Sequence, residues 1–225
     1  GLTDLHIHAP QYTFRSLGMD MELLEWLETN TFPEESKYKD AEYAKKAYEM
    51  FAEQLKKSAT VRACIFGTIH NEATLILMDL LEEAGLHTMV GKVNMDRNSP
   101  DYLCEPSAEA SAQATREWLK AVADRKYKHT RPILTPRFTP SCTDELMELL
   151  KEIQTETHLP MQSHLSENPG EIAWVKELCP WSEFYGDAYD KFGLFGGDCP
   201  TVMAHCVYSG KEEMALMKEK GVFVA

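Results

Sequence analysis

At 225 residues, with 44% apolar and 26% charged side chains, the chain has the composition of a globular protein with a substantial core. It contains no run of about 18 apolar residues that could span a bilayer. Its formal charge of −13, from 23 Lys and Arg against 36 Asp and Glu, repels a phosphate backbone, so neither a membrane nor a nucleic acid is read as a partner. The cysteines Cys64, Cys104, Cys142, Cys179, Cys199 and Cys206 are widely spaced with no Cys-x-x-Cys pair, which fits reduced thiols in a cytoplasmic setting.

In chain order, short apolar runs at 2–8, 60–66, 86–93, 131–135, 160–164, 201–205 and 222–225 read as strands. Between them, apolar residues recur at helical spacing: Ala44, Ala47, Tyr48, Phe51 and Leu55, then Ala108, Ala112, Leu119 and Val122, then Leu146, Met147, Leu149, Leu150 and Ile153. Thr143 followed by Asp144 and Glu145 marks a helix start, with a capping hydroxyl and first-turn carboxylates. Segments 94–106 and 179–200, rich in Pro, Gly, Asn and Asp, read as long loops, the second with a short helix at 184–191.

Strands alternating with helices predict a parallel sheet in an α/β protein. No Gly-x-Gly-x-x-Gly follows the first strand, so a dinucleotide fold has no support, and the preferred architecture is a TIM-like (β/α)8 barrel, which the resemblance given below implies to be of the metal-dependent hydrolase type. It is incomplete, with about strands 1 to 7 in one domain over 1–225. The chain opens at Gly1 almost directly into a strand and closes on Gly221-Val222-Phe223-Val224-Ala225, the start of another, which reads as a piece of a longer polypeptide.

The chemistry-bearing residues gather at strand ends. His6 and His8 are two apart, so on a strand they share a face and can meet one ion, whereas on a helix they would diverge by about 200°. His164 and His205 each close a predicted strand, at the rim where barrel enzymes place their chemistry. Glu167, three residues after His164, is a candidate proton shuttle for a metal-activated water, the alternative being a helix-start carboxylate. Arg137 and Phe138 follow the fourth strand and offer a forked donor beside a flat ring, which suits a purine or pyrimidine, and Gln11 offers an amide to a base edge. His70, His87, His129 and His158 read as surface residues in or beside helices and loops, His70 being the one that also follows a strand.

These residues carry a resemblance. His6-Ile7-His8-Ala9-Pro10-Gln11, Leu24-Glu25-Trp26-Leu27 with Thr31-Phe32-Pro33, Gly91-Lys92-Val93-Asn94-Met95-Asp96, Thr135-Pro136-Arg137-Phe138, Ser163-His164-Leu165-Ser166-Glu167-Asn168 and Met203-Ala204-His205 together resemble the guanine deaminases of the amidohydrolase superfamily. The resemblance implies one Zn2+ per subunit held by His6, His8 and His164, with His205 beside it. It implies Glu167 as the proton shuttle, Gln11 and Arg137 on the guanine edges, and Phe138 against the ring. The implied reaction is hydrolytic deamination of guanine to xanthine and ammonia by a zinc-activated water, a step of purine catabolism carried out by a cytoplasmic homodimer.

The family's barrel has a further strand bearing a metal-ligating Asp, expected beyond Ala225, and a small β-domain built from both termini that these residues do not contain. Ala59 and Val61 stand where the family has a Gly-Thr-Thr run. The alternatives are a related deaminase acting on another amino-heterocycle, such as a thioadenosine or a triazine, and a catalytically incomplete fragment or scaffold.

Overall fold

The computed structural model describes all 225 residues. Its strands are β1 (Leu2–His8), β2 (Thr60–Phe66), β3 (His87–Gly91), β4 (Val93–Asn94), β5 (Thr130–Pro132), β6 (Thr135–Pro136), β7 (Met161–Leu165), β8 (Thr201–His205) and β9 (Phe223–Val224). The helices are α1 (Leu23–Trp26), α2 (Phe32–Ser36), α3 (Ala41–Lys57), α4 (Asn71–Glu83), α5 (Ala108–Arg125), α6 (Asp144–Thr157), α7 (Pro169–Leu178), α8 (Asp187–Asp190) and α9 (Lys211–Lys220). Contacts divide the chain into two units: Gly1–Val93 with Pro100–Leu103 and Gln113–Ile133, and Asn94–Ser99 with Cys104–Ala112 and Leu134–Ala225. No helix is long and apolar enough to cross a membrane.

In the first unit, β1, β2, β3 and β5 form one parallel sheet in that order. The apolar stripe of α3 is buried as its periodicity demands: Ala44, Ala47, Tyr48, Phe51 and Leu55 join Ala73, Leu77, Met78 and Leu81 of α4 and Ile65 and Val90 of the sheet in one core. Asp40 starts α3 by accepting the Glu42 N–H (2.9 Å) and the Tyr43 N–H (3.4 Å), which satisfies donors that the first helical turn leaves open. Residues 23–39 fold as a succession of short helical turns that the sequence periodicity does not foreshadow, with Pro33 in the first turn of α2. Pro33, which has no N–H to donate, falls where the wider helical turn of Leu27–Thr31 runs directly into α2.

In the second unit, β7, β8 and β9 form a parallel sheet, and Leu134 bridges to Met161 on its other side. The helix start predicted at Thr143 is present: its hydroxyl accepts the Leu146 N–H (3.1 Å), while Asp96 accepts the Thr143 N–H (2.8 Å) and ties the 94–99 loop to α6. A buried Glu105 carboxylate accepts from the Met95 N–H (3.0 Å) and the Ser111 hydroxyl, holding the remainder of that loop. The short helix expected at 184–191 is the single turn α8.

Two predicted strands are broken in the structure. The run at 86–93 divides because its pairing with β2 ends at Gly91, after which the Val93 N–H turns to the Thr68 carbonyl (2.9 Å). The run at 131–135 becomes β5 and β6 because its backbone partners change: Ile133 donates to Val90 (3.1 Å), whereas Leu134 donates to Pro160 (3.0 Å).

Leu77 is fully buried within the α3 and α4 core. Leu77→Ala is expected to destabilise the protein by about 2–5 kcal/mol, the cost of lost burial plus a residual cavity. A urea denaturation midpoint shift that converts to less than about 1 kcal/mol would contradict this packing.

Candidate active site

In the first unit, His6 and His8 close β1 with their imidazoles on one face, as the two-residue spacing requires. The ring centroids are 4.9 Å apart and the planes nearly perpendicular, at 88°. Phe66, at the end of β2, supports both: His8 stacks on it at 4.5 Å, and His6 meets it edge-on at 5.1 Å. The β1–β2 register shifts between Asp4 and Ile7, and the Asp4 carboxylate accepts the His6 N–H (3.1 Å) at that irregularity. Bulges of this kind re-aim side chains beside functional sites. Gln11 follows, half-buried, on the 3-10 turn Ala9–Phe14.

The second unit brings Arg137, Phe138, His164, Glu167 and His205 together. His164 ends β7 with its Nδ1 2.6 Å from the Arg137 carbonyl. A carbonyl only accepts, so Nδ1 carries the proton and Nε2 keeps its lone pair, the tautomer a metal ligand needs. The Arg137 carbonyl also accepts from the Ser163 hydroxyl (3.1 Å), and the Arg137 N–H donates to the Asn94 carbonyl (3.2 Å). Arg137 is thus a buried residue whose backbone orients His164. The next residue, Phe138, is buried and meets Trp174 edge-on at 6.3 Å.

His205 ends β8 and lies nearly parallel to His164, with ring centroids 5.4 Å apart. Its Nε2 is 3.3 Å from the Glu167 carboxylate. Burial pushes the Glu167 carboxyl up to about 7; Glu171 raises it further and Arg137 opposes the rise. Burial also holds His205 below the usual imidazole range. The contact therefore joins a carboxyl that exchanges protons near neutrality to an imidazole that favours its neutral form.

The helix-start role weighed for Glu167 belongs to Glu171 instead. Asn168 caps α7, and Glu171 completes a capping box by accepting the Asn168 N–H (3.3 Å) together with the Glu167 N–H (3.0 Å). Glu167 precedes the cap, which leaves its carboxylate directed at His205. Sequence reasoning missed Ser163 and Tyr189, which hydrogen-bond the backbone around His164. Ser163 adjoins a ligand-type histidine, a usable signal, whereas Tyr189 lies 25 residues away in what read as a loop. Of the histidines taken as surface residues, His87 and His158 are exposed, His87 at the start of β3, whereas His70 and His129 are half-buried. Burial, with Lys39 and Lys92 adding to it, pushes His70 down to about 4.

The chain belongs to the amidohydrolase family, whose model matches residues 1–225. Its α/β fold is of the TIM-barrel type found in that family, of which the chain supplies a part. It is 42% identical to guanine deaminase from Dictyostelium discoideum over 96% of its own length and 48% of that protein. Its structure superposes on that of guanine deaminase from C. acetobutylicum with bound guanine at a TM-score of 0.96 and 49% identity, covering 100% of this chain and 53% of the other. An adenosine deaminase from Xanthomonas campestris with bound zinc matches with a TM-score of 0.81 over 100% of this chain and 48% of that one, a likeness of fold alone at 20% identity. The chain spans about half the length of the curated relatives it matches.

A carboxyl raised by folding holds its proton in the native state between its ordinary value of 4.5 and about 7, whereas the unfolded chain has released it. The stability this contributes is present below pH 4.5 and is lost as pH rises through 7. Glu167→Gln is therefore expected to flatten the decline in stability of the metal-free protein across that window and to raise its urea midpoint above wild type at pH 8. Parallel pH dependences in the two proteins would show that Glu167 is not the group concerned.

Proposed function

We propose that residues 1–225 form the larger part of one catalytic barrel domain that deaminates guanine to xanthine and ammonia. The observation that carries this reading is the likeness to guanine deaminases along the chain, 49% identical to one with guanine bound. It is supported by the Arg137–His164–Glu167–His205 group, the donors and proton carriers such a reaction uses.

One Zn2+ is assigned to His6, His8 and His164. An all-imidazole donor set from the protein suits zinc, and the Nδ1–H of His164, committed to the Arg137 carbonyl, leaves Nε2 as the ligand atom. When bound, the ion supplies Lewis acidity that brings the pKa of water toward about 7. Glu167 accepts a proton from the attacking water and passes it to the exocyclic nitrogen of the purine, which leaves as ammonia. Its proton affinity near neutrality suits it to both steps. His205, against Glu167, keeps that carboxylate directed at the reacting atoms. Arg137 and Gln11 hold the polar edges of guanine and Phe138 packs against its ring. We further propose a cytoplasmic homodimer working in purine breakdown, as the resemblance to guanine deaminases implies.

The test is direct. Zinc-loaded protein given guanine should release xanthine and ammonia in equal amounts, followed by absorbance and a coupled ammonia assay; turnover of a triazine or of adenosine in preference to guanine would refute the assignment. Glu167→Gln should lower kcat by roughly 10²–10⁴-fold while zinc remains bound, because only proton transfer is removed. Arg137→Ala should lower kcat/KM for guanine by roughly 10–100-fold, the usual effect of losing a charged donor to a buried acceptor.

A further inference from the structure

We propose that Tyr189 is a positioning residue of the site, its phenol holding the ends of two segments: His164, read above as a zinc ligand, and Arg137–Phe138, read as the guanine contact. The inference rests on that reading of His164.

Tyr189 belongs to α8, in the stretch 179–200 that has no part in the proposed chemistry. Its side chain is fully buried, stacked between Tyr185 at 5.8 Å and Phe195 at 6.4 Å. A buried hydroxyl is costly unless satisfied, and this one finds backbone and side-chain partners beside the site. It donates to the carbonyl of His164 (2.8 Å) and accepts the N–H of Thr139 (3.2 Å), the residue after Phe138. It also lies 2.9 Å from the Ser163 hydroxyl. Ser163 reaches the carbonyls of Pro136 (2.7 Å) and Arg137 (3.1 Å), and the latter is the one that receives the His164 Nδ1–H. Ser163 thus reaches directly the acceptor that sets the imidazole's tautomer and direction, while the phenol anchors the backbone on either side of it, at His164 and Thr139.

The phenol is itself fastened. The Tyr185 hydroxyl donates to Glu171 (2.8 Å), and the Gly186 N–H donates to Glu213 (2.7 Å). Asp190 pairs with Lys220 (3.0 Å) and Lys191 with Asp144 (3.1 Å). A hydroxyl mounted on a segment tied at four points is a fixed reference, whereas a hydroxyl on a free loop would follow its partners. Outer partners of this kind typically alter metal affinity by about 10–100-fold when removed.

The test is made on the full-length protein, with zinc affinity measured by chelator competition and kcat and KM measured for guanine. Tyr189→Phe keeps the stacked ring and removes only the hydroxyl; it is expected to raise the zinc dissociation constant about tenfold and to lower kcat. Lys57→Ala, which breaks an exposed ion pair with Glu53 on α3 and touches none of these contacts, should leave zinc affinity unchanged. If Tyr189→Phe does not melt cooperatively, para-fluorophenylalanine at position 189 is read in its place, since it fills the volume of the hydroxyl without donating a proton. Unchanged zinc affinity and kcat in the variant would overturn the inference while the proposed function stands. Wild-type protein that does not retain zinc would overturn the ligand reading and this inference with it. Zinc-binding protein inactive on guanine would refute the substrate alone, and the chelator titration would still decide the role of Tyr189.

Discussion

The hydrogen bond from His164 Nδ1 to the Arg137 carbonyl is the constraint on which the geometry of the second unit's polar cluster depends. It joins the end of β7 to the segment that follows β6, so one backbone oxygen sets the direction of an imidazole while the same residue carries the guanidinium. At 2.6 Å and buried, it operates in a low-dielectric setting where hydrogen bonds strengthen and unpaired groups are penalised. Much of the surrounding sequence serves to keep that oxygen still. Asn94 accepts the Arg137 N–H, Asp96 anchors the Asn94 segment to the start of α6, and Ser163 gives the oxygen a second donor.

Two buried carboxylates provide the next layer of support. Glu171 and Glu213 are at most 1% exposed and are saturated with donors, so their role is architectural. Glu171 holds the Glu167 and Asn168 N–H groups and the Tyr185 hydroxyl, while Glu213 holds the Gly186 N–H and the Ser166 hydroxyl (2.9 Å). Between them they grip the turn that presents Glu167. Glu171 also adds negative potential near Glu167, second only to burial in raising its proton affinity. The group that shapes the turn thereby tunes the acid that the turn carries.

The division between what the sequence shows and what it conceals follows the range of the interactions. Alternation of apolar runs and amphipathic stripes is local, so the parallel α/β order, the α3 face and the Thr143 cap were all legible. His6 and His8 were legible as a same-face pair because strand geometry alone fixes it. The breaks within 86–93 and 131–135 were not, since apolar character continues through them and only the exchange of backbone partners ends each ladder. Residues 23–39 fold as short turns whose stability lies in tertiary contacts, Tyr38 reaching the Pro10 carbonyl (3.1 Å) among them, and such contacts leave no periodic trace. Tyr189 was invisible for the same reason: its partners are 25 and more residues distant along the chain.

The strained backbone at the strand ends follows from this support. Ser166 after β7, and His205 and Cys206 at the end of β8, adopt φ values of 48°, 74° and 52°, a left-handed region that costs a non-glycine residue about 1 kcal/mol or more. Glycine would remove that cost, but it would also remove the imidazole at His205 and the hydroxyl that Ser166 gives to Glu213. The conformation is held by bonds from outside the turn. Tyr208 donates to the Ser166 carbonyl (2.9 Å), Cys206 to the Leu165 carbonyl (2.8 Å) and His205 to the Ala225 carbonyl (2.8 Å). A left-handed residue ends the extended path abruptly, so that the chain turns back where a continued strand would run on. The side chains of Glu167 and His205 consequently meet across two neighbouring strand ends. The strain is thus coupled to the geometry of the acid–imidazole contact, and the buried Glu213 holds the turn at the site of that strain.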